Sequence, residues 1–141
     1  MAYCTQQHLT DRYGETEILQ LTDREHTGAI NTVRLAEAID DAAATIDSYL
    51  GGRYALPINP VPLILERLAS KLTWLILLDN NNQLSDSHQR QLESLKKTLR
   101  EIGAGVISLG VDASGGAPES NNTATIVSGG NVFSRKDKSF I

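Results

Sequence analysis

The clearest order in the chain lies between Val33 and Leu50, where apolar residues recur every three to four positions. Placed at about 100° per residue, Leu35, Ala36, Ile39, Ala42, Ala43, Ile46, Tyr49 and Leu50 share one arc. Arg34, Glu37, Asp41, Thr45 and Ser48 lie opposite. The pattern predicts an amphipathic surface helix, capped by Asn31 or Thr32 and stopped by Gly51 and Gly52. Three alanines on its core face let a neighbouring helix come close.

The next apolar stretch, Pro62 to about Asn80, differs in kind. Leu65, Leu68, Leu72, Leu75 and Ile76 make one broad face, and Glu66, Arg67, Ser70, Lys71 and Thr73 a polar arc. Trp74, Leu77 and Leu78 fall on or beside that polar arc. A helix apolar on both sides is either central in its domain or covered by a partner. A small domain has few layers to cover it, which favours a partner and marks Trp74, Leu77 and Leu78 as interface candidates. Ser85 caps a further helix that runs to about Ile102 and stops at Gly103. Its stripe of Leu92, Leu95, Leu99 and Ile102 predicts a narrow seam for one facing helix. His88 sits on that stripe as a half-buried packing residue, and Glu93 and Lys97 form a supporting pair one turn apart.

Shorter pieces surround these helices. Thr5 can cap a helix from Gln6 to Tyr13 that Gly14 ends, and Ile18, Leu19 and Leu21 allow another helical turn. Thr22 to Asn31 reads as a polar loop. Prolines at 57, 60 and 62 make Arg53–Pro62 a stiff connector. After Gly105 the texture changes. Val106 to Val111 is a short strand or an extended arm, and Asp112 to Asn131 has the Gly, Ser, Asn, Ala and Thr composition of a flexible segment. Within it, Thr123 to Val127 has the β-branching to add a strand to a partner. The chain ends in Val132, Phe133, Arg135, Lys136, Lys138 and Phe140, a basic segment with two aromatics. Such an end reads either as a peptide that docks on a neighbour or as a plain frayed terminus. The expected architecture is mainly α: a small helical bundle of four to five helices over residues 1–105, with an extended flexible C-terminal arm over 106–141.

Composition narrows the function classes. A chain of 141 residues fits one domain, and 40% apolar with 21% charged residues places it among globular rather than disordered proteins. A net charge of -4 argues against a surface that grips nucleic-acid phosphates, though not against a protein that DNA passes through. With Cys4 as the single cysteine, no internal disulfide can form. The first residues lack the basic-then-apolar order of a signal peptide. The longest unbroken apolar run, Trp74 to Leu78, falls far short of the roughly 20 residues of a membrane span. Synthesis in a cytoplasm, with no membrane partner, is the expectation.

Little in the chain resembles a reaction centre. His8, His26 and His88 show no metal-motif spacing, and Cys4 has no nearby histidine to activate it. There is no phosphate-binding glycine loop. No enzymatic activity, cofactor or metal is expected. One stretch, Asp23 to Arg34, echoes a calcium loop, with oxygens at positions one, three and five and Gly28 at six. Its twelfth position, which needs a bidentate Glu, is Arg34. Asp40 and Asp47 lie seven apart on one flank of the Val33–Leu50 helix. Paired carboxylates can do acid–base work, but on an exposed helix rim they are far more often solvated or paired with a neighbouring subunit, and both are interface candidates.

Three segments resemble a family of small neck proteins from Mu-like bacteriophages and prophages. The first is Met1-Ala-Tyr-Cys-Thr5 with Arg12-Tyr-Gly14 and Leu19-Gln-Leu-Thr-Asp23. The second, and most specific, is Ile46-Asp-Ser-Tyr-Leu-Gly-Gly-Arg-Tyr-Ala-Leu-Pro57 with Val61-Pro62. The third is Ile107-Ser-Leu-Gly110 with Val132-Phe-Ser-Arg135. None is a catalytic signature. The resemblance implies a fold similar to the head–tail connectors of long-tailed phages. It implies a structural virion protein: an adaptor ring, commonly of twelve copies, that docks under the portal, continues the DNA channel and receives the next neck or tail protein. The C-terminal arm would then contact the portal, and DNA would pass without sequence recognition. Relatives often carry a more acidic loop around Asp23, nearer to a calcium site, from which Thr27 and Arg34 depart. Two alternatives stay open: a head-closure or tail-completion protein one place further down the neck, and a small metal-binding regulatory protein using the Asp23 loop.

Overall fold

A computed structural model of the chain describes residues 2–111. The mainly α reading holds: α1 (Gln6–Tyr13), α2 (Glu15–Thr22), α3 (Thr32–Leu50), α4 (Leu63–Asn80) and α5 (Asp86–Gly103) account for the regular structure of these residues. The local signals that start the helices act as the sequence predicts. Asn31 Oδ1 accepts from the N–H groups of Val33 and Arg34, each at 3.1 Å. Thr5 and Ser85 cap α1 and α5 through reciprocal boxes, with His8 and His88 in the place usually held by Glu or Gln. In each box the hydroxyl accepts from the histidine N–H, and the histidine Nδ1 accepts from the cap N–H at 3.2 Å. Pro62 stands just before α4 rather than in its first turn. The connector from Arg53 is neither helix nor strand, and its Leu56–Pro57 and Asn59–Pro60 bonds are cis.

α3, α4 and α5 pack on one another, while α1 and α2 lie across α4, with α2 also reaching α3. The core face of α3 is rotated slightly from its predicted arc. Ala38 turns inward and Ala36 outward, so Ala38, Ala42 and Ala43 are the small residues that admit the neighbouring helices. The seam of α5 meets both α3 and α4, not one helix. Gly103 does not end α5 by its own backbone freedom. A Cβ there would sit 2.3 Å from the Tyr49 carbonyl oxygen, so glycine permits the close crossing of α5 and α3. The left-handed turn comes two residues later, at Gly105 with φ +87°. Beyond it Leu109 returns to the core and Ile107 and Val111 are partly covered, without forming a strand.

The largest correction concerns α4. Leu77 and Leu78 are only 2% and 4% exposed, and Trp74 is half-buried. Leu77 and Leu78 are core residues and Trp74 packs against the core, so the three do not form an exposed apolar face awaiting a partner. The reason lies in Ser70 and Thr73, which a polar pattern places at the surface. Both are fully buried. Their hydroxyls donate to carbonyls one turn back, Glu66 O at 2.9 Å and Ala69 O at 2.8 Å, so the face they occupy can be covered without loss of a hydrogen bond. The N-terminal segment does the covering. Cys4 Sγ lies 3.6 Å from Thr73 Oγ1. The Tyr13 ring stacks on Trp74 at 4.9 Å, and the His88 ring meets the indole edge-on at 5.2 Å.

Candidate functional site

With the C-terminal half of α4 sealed, its first turns are the part left open. Arg12 and Tyr13, at the end of α1, and the start of α4 border a groove of about 560 Å³. Leu63, Ile64 and Leu68 supply its apolar lining, and Leu63 is 64% exposed. Arg12, Arg67 and Lys71 supply its charge. Arg12 is paired with Glu66 at 3.3 Å, which also has His8 Nε2 at 3.5 Å. Neither Arg67 nor Lys71 forms an ion pair among the described residues. Like charges one turn apart weaken a helix by roughly 0.2–0.5 kcal/mol, so folding stability does not account for their placement. Lys71 and Leu68 also border a second hollow that holds Arg90 of α5, which extends the cationic strip.

The outer face of α3 has the opposite sign. Glu37, Asp40 and Asp41 are exposed and have no ion-pair partner among the described residues. Val33, 67% exposed, stands one turn before them. The hollow beside this face also holds Arg24 and Arg34, but the Arg24 guanidinium is committed to Asn80 O at 2.6 Å. The separation of charge runs through the chain. Residues 1–50 hold nine carboxylate residues against three arginines, whereas residues 51–111 hold five against seven basic residues.

Asp40 and Asp47, paired in the sequence reading, part company here. Asp40 lies on the exposed acidic face. Asp47 is half-buried and accepts a hydrogen bond from the Tyr3 hydroxyl, which fastens the N-terminus to α3. Burial, and after it the bond to Asp47, raises the Tyr3 phenol well above its usual range.

The Asp23 loop is closed on itself. Asp23 Oδ1 accepts from Thr27 N–H at 2.8 Å and from the Thr27 hydroxyl at 3.1 Å, and Oδ2 accepts from Gly28 N–H at 2.7 Å. These bonds hold the carboxyl below its ordinary range, the Thr27 N–H first. Both oxygens are thus engaged by the loop's own donors. Thr22 Oγ1 accepts from Asn31 N–H at 3.1 Å and donates to Ile18 O at 2.9 Å, joining the loop's two ends. Among the described residues no three His, Cys, Asp or Glu side chains converge on a metal-sized site.

The family described as "Bacteriophage Mu, Gp36" matches residues 3–128. The chain belongs to the bacteriophage Mu Gp36 family. Two members show how fully it does so. It is 34% identical to "Mu-like prophage FluMu protein gp36" of Haemophilus influenzae over 140 residues, 99% of this chain and 98% of that one. It is 31% identical to "Gene product J" of Escherichia phage Mu over 143 residues, the whole of both chains.

The Gp36-family match takes in all five helices and both charged surfaces. It ends before the tail residues Val132, Phe133, Arg135, Lys136, Lys138 and Phe140, which lie outside the described residues. No helix among the described residues is long and apolar enough to cross a membrane. The groove residues Leu63, Arg67 and Lys71 escape the sequence reading. The signal for them is an apolar residue in the first turn of a helix followed by two cations four apart, but whether that stripe faces water depends on which side α1 and α2 cover.

Proposed function

We propose that this Gp36-family chain is a structural virion protein without catalytic activity, the head–tail connector ring of its phage. In this reading copies of the chain assemble head to tail into a cyclic ring of twelve beneath the portal. The ring continues the DNA channel and receives the next neck or tail protein. The tail residues Val132 to Phe140 dock on a neighbouring copy or on the portal. The observation that carries the reading is end-to-end membership in a Mu phage family by a chain with two outer faces of opposite charge. A ring subunit needs two different faces, one for each neighbour. The engaged Asp23 carboxylate speaks against the alternative of a calcium-dependent regulator.

Negative-stain imaging and mass photometry of the full chain, alone and with the portal protein, test this. Rings with a central channel, formed alone or on the portal, are expected. A two-fold dimer, or a monomer that the portal does not bind, would overturn it.

A further inference from the structure

The groove at the start of α4 has a lining that specifies its occupant. Leu63, Ile64 and Leu68 offer apolar area, and Arg67 and Lys71 offer two cations with no ion pair among the described residues. The matching ligand is an amphipathic helix with an apolar residue followed by acids, laid along the groove. The outer stripe of α3 has that chemistry. At 100° per residue, Val33, Glu37, Asp40 and Ala44 fall within about 60° of one another, and all four are exposed. Val33 to Asp41 and Leu63 to Lys71 each cover nine residues, eight helical steps or roughly 12 Å. The two surfaces share no residue, so one chain can present both at once.

We infer that the α4 groove is the seat for the outer face of α3 of a second copy of this chain, repeated around the assembly. Val33 meets the leucine and isoleucine lining. Glu37, Asp40 and Asp41 meet Arg67, Lys71 and Arg12. The inference rests on the proposed ring and names the two surfaces that close it. Complementary charge fixes which face meets which and keeps like faces apart, so the contact is heterologous and propagates in one direction. The chain's own tail is a poor occupant of the groove, because Arg135, Lys136 and Lys138 carry the groove's sign.

The test is a charge swap in the full chain, read by mass photometry with and without portal protein. Arg67→Glu with Lys71→Glu makes one variant, and Glu37→Lys with Asp40→Lys the other. Each has two faces of one sign and is expected to lose the ring and run as a monomer. An equimolar mixture is expected to regain it, because in an alternating ring every groove then faces a stripe of opposite sign. A chain carrying all four changes is expected to assemble alone. Circular dichroism and melting certify that each chain is folded. Where a reversed pair lowers the melting temperature, Arg67→Gln with Lys71→Gln replaces it, with at least a tenfold rise in the concentration for half-assembly expected. If either folded variant forms rings as the unaltered chain does, or the mixture stays monomeric, this pairing of faces is wrong while the ring reading stands. If the unaltered chain forms no ring in either condition, both readings fall.

Discussion

The two halves of α4 both carry apolar residues off the main hydrophobic face and end in opposite situations. From Leu72 to Leu78 every side chain is buried or half-buried, with α3 and α5 on one side and α1, α2 and the first residues on the other. From Leu63 to Lys71 it has a covered inner edge and an outer edge open to water. An apolar residue opposite the main hydrophobic face therefore has two meanings. Over the second half it marks a second layer of the chain's own core, and over the first it marks a surface for another molecule. What distinguishes them is the reach of a short N-terminal segment.

The comparison breaks most visibly at Leu77. If it is core, Leu77→Ala removes buried methyl groups and leaves a cavity, at about 2–5 kcal/mol of monomer stability. Urea unfolding followed through Trp74, the single tryptophan, measures this. A change within about 0.5 kcal/mol, the range of ordinary surface positions, would return Leu77 to the surface.

A smaller loss is expected at the far end of the bundle. Gly103→Ala drives a Cβ against the Tyr49 carbonyl and forces α5 away from α3. Overpacking of this kind costs about 1–3 kcal/mol, and the melting temperature should fall accordingly. An unchanged melting temperature would mean that the two helices cross with room to spare.

The Asp23 loop should report through pH. Its carboxyl titrates below the ordinary value of about 4, because the Thr27 and Gly28 N–H groups favour the charged form. As pH falls, the unfolded chain takes up this proton before the folded one does. The loop's contribution is complete above the ordinary carboxylate range and is lost as pH falls through the depressed folded value. Asp23→Asn should therefore flatten the acid limb of the stability–pH curve and leave its neutral limb parallel to that of the unaltered chain. An acid limb of undiminished slope would show that other carboxylates set it.

The smallest stability effect is expected at Leu63. Leu63→Ser lies on the open half of α4, and monomer stability should stay within about 0.5 kcal/mol, while assembly weakens. Equal losses of folding and assembly would merge the two halves into one core.

What the sequence reveals follows the range of the interaction. Asn31, Thr5 and Ser85 act on N–H groups within three residues, so their caps and the helix starts are readable directly. The amphipathic arc of α3 is readable for the same reason, to within the exchange of Ala36 for Ala38. Ser70 and Thr73 mislead because a hydroxyl counts as polar in a pattern but can close onto its own helix and be buried. Gly103 misleads because its reason, the Tyr49 carbonyl, lies on another helix. The groove stays hidden because Arg67 and Lys71 look like any solvated arc until Leu63 beside them is seen uncovered. Spacing alone puts Asp40 on an open face. Asp47 shares that spacing, but its Tyr3 partner lies 44 residues earlier in the chain and no local rule supplies it. The family resemblance was legible because its middle segment spans the end of α3 and the proline connector, where few other sequences would place the same residues.

Cys4 carries a consequence for measurement. Its side chain is 3% exposed where the N-terminal segment meets α4, and burial raises its pKa, so the folded chain both shields the thiol and favours its protonated form. Modification requires that residues 3–13 first lift from α4. With one sulfhydryl in the chain, the rate at which a thiol reagent consumes it under native conditions is a clock for that single event. Divided by the rate at which the same reagent consumes the thiol of the unfolded chain, it gives the free energy for peeling the upper layer from the bundle.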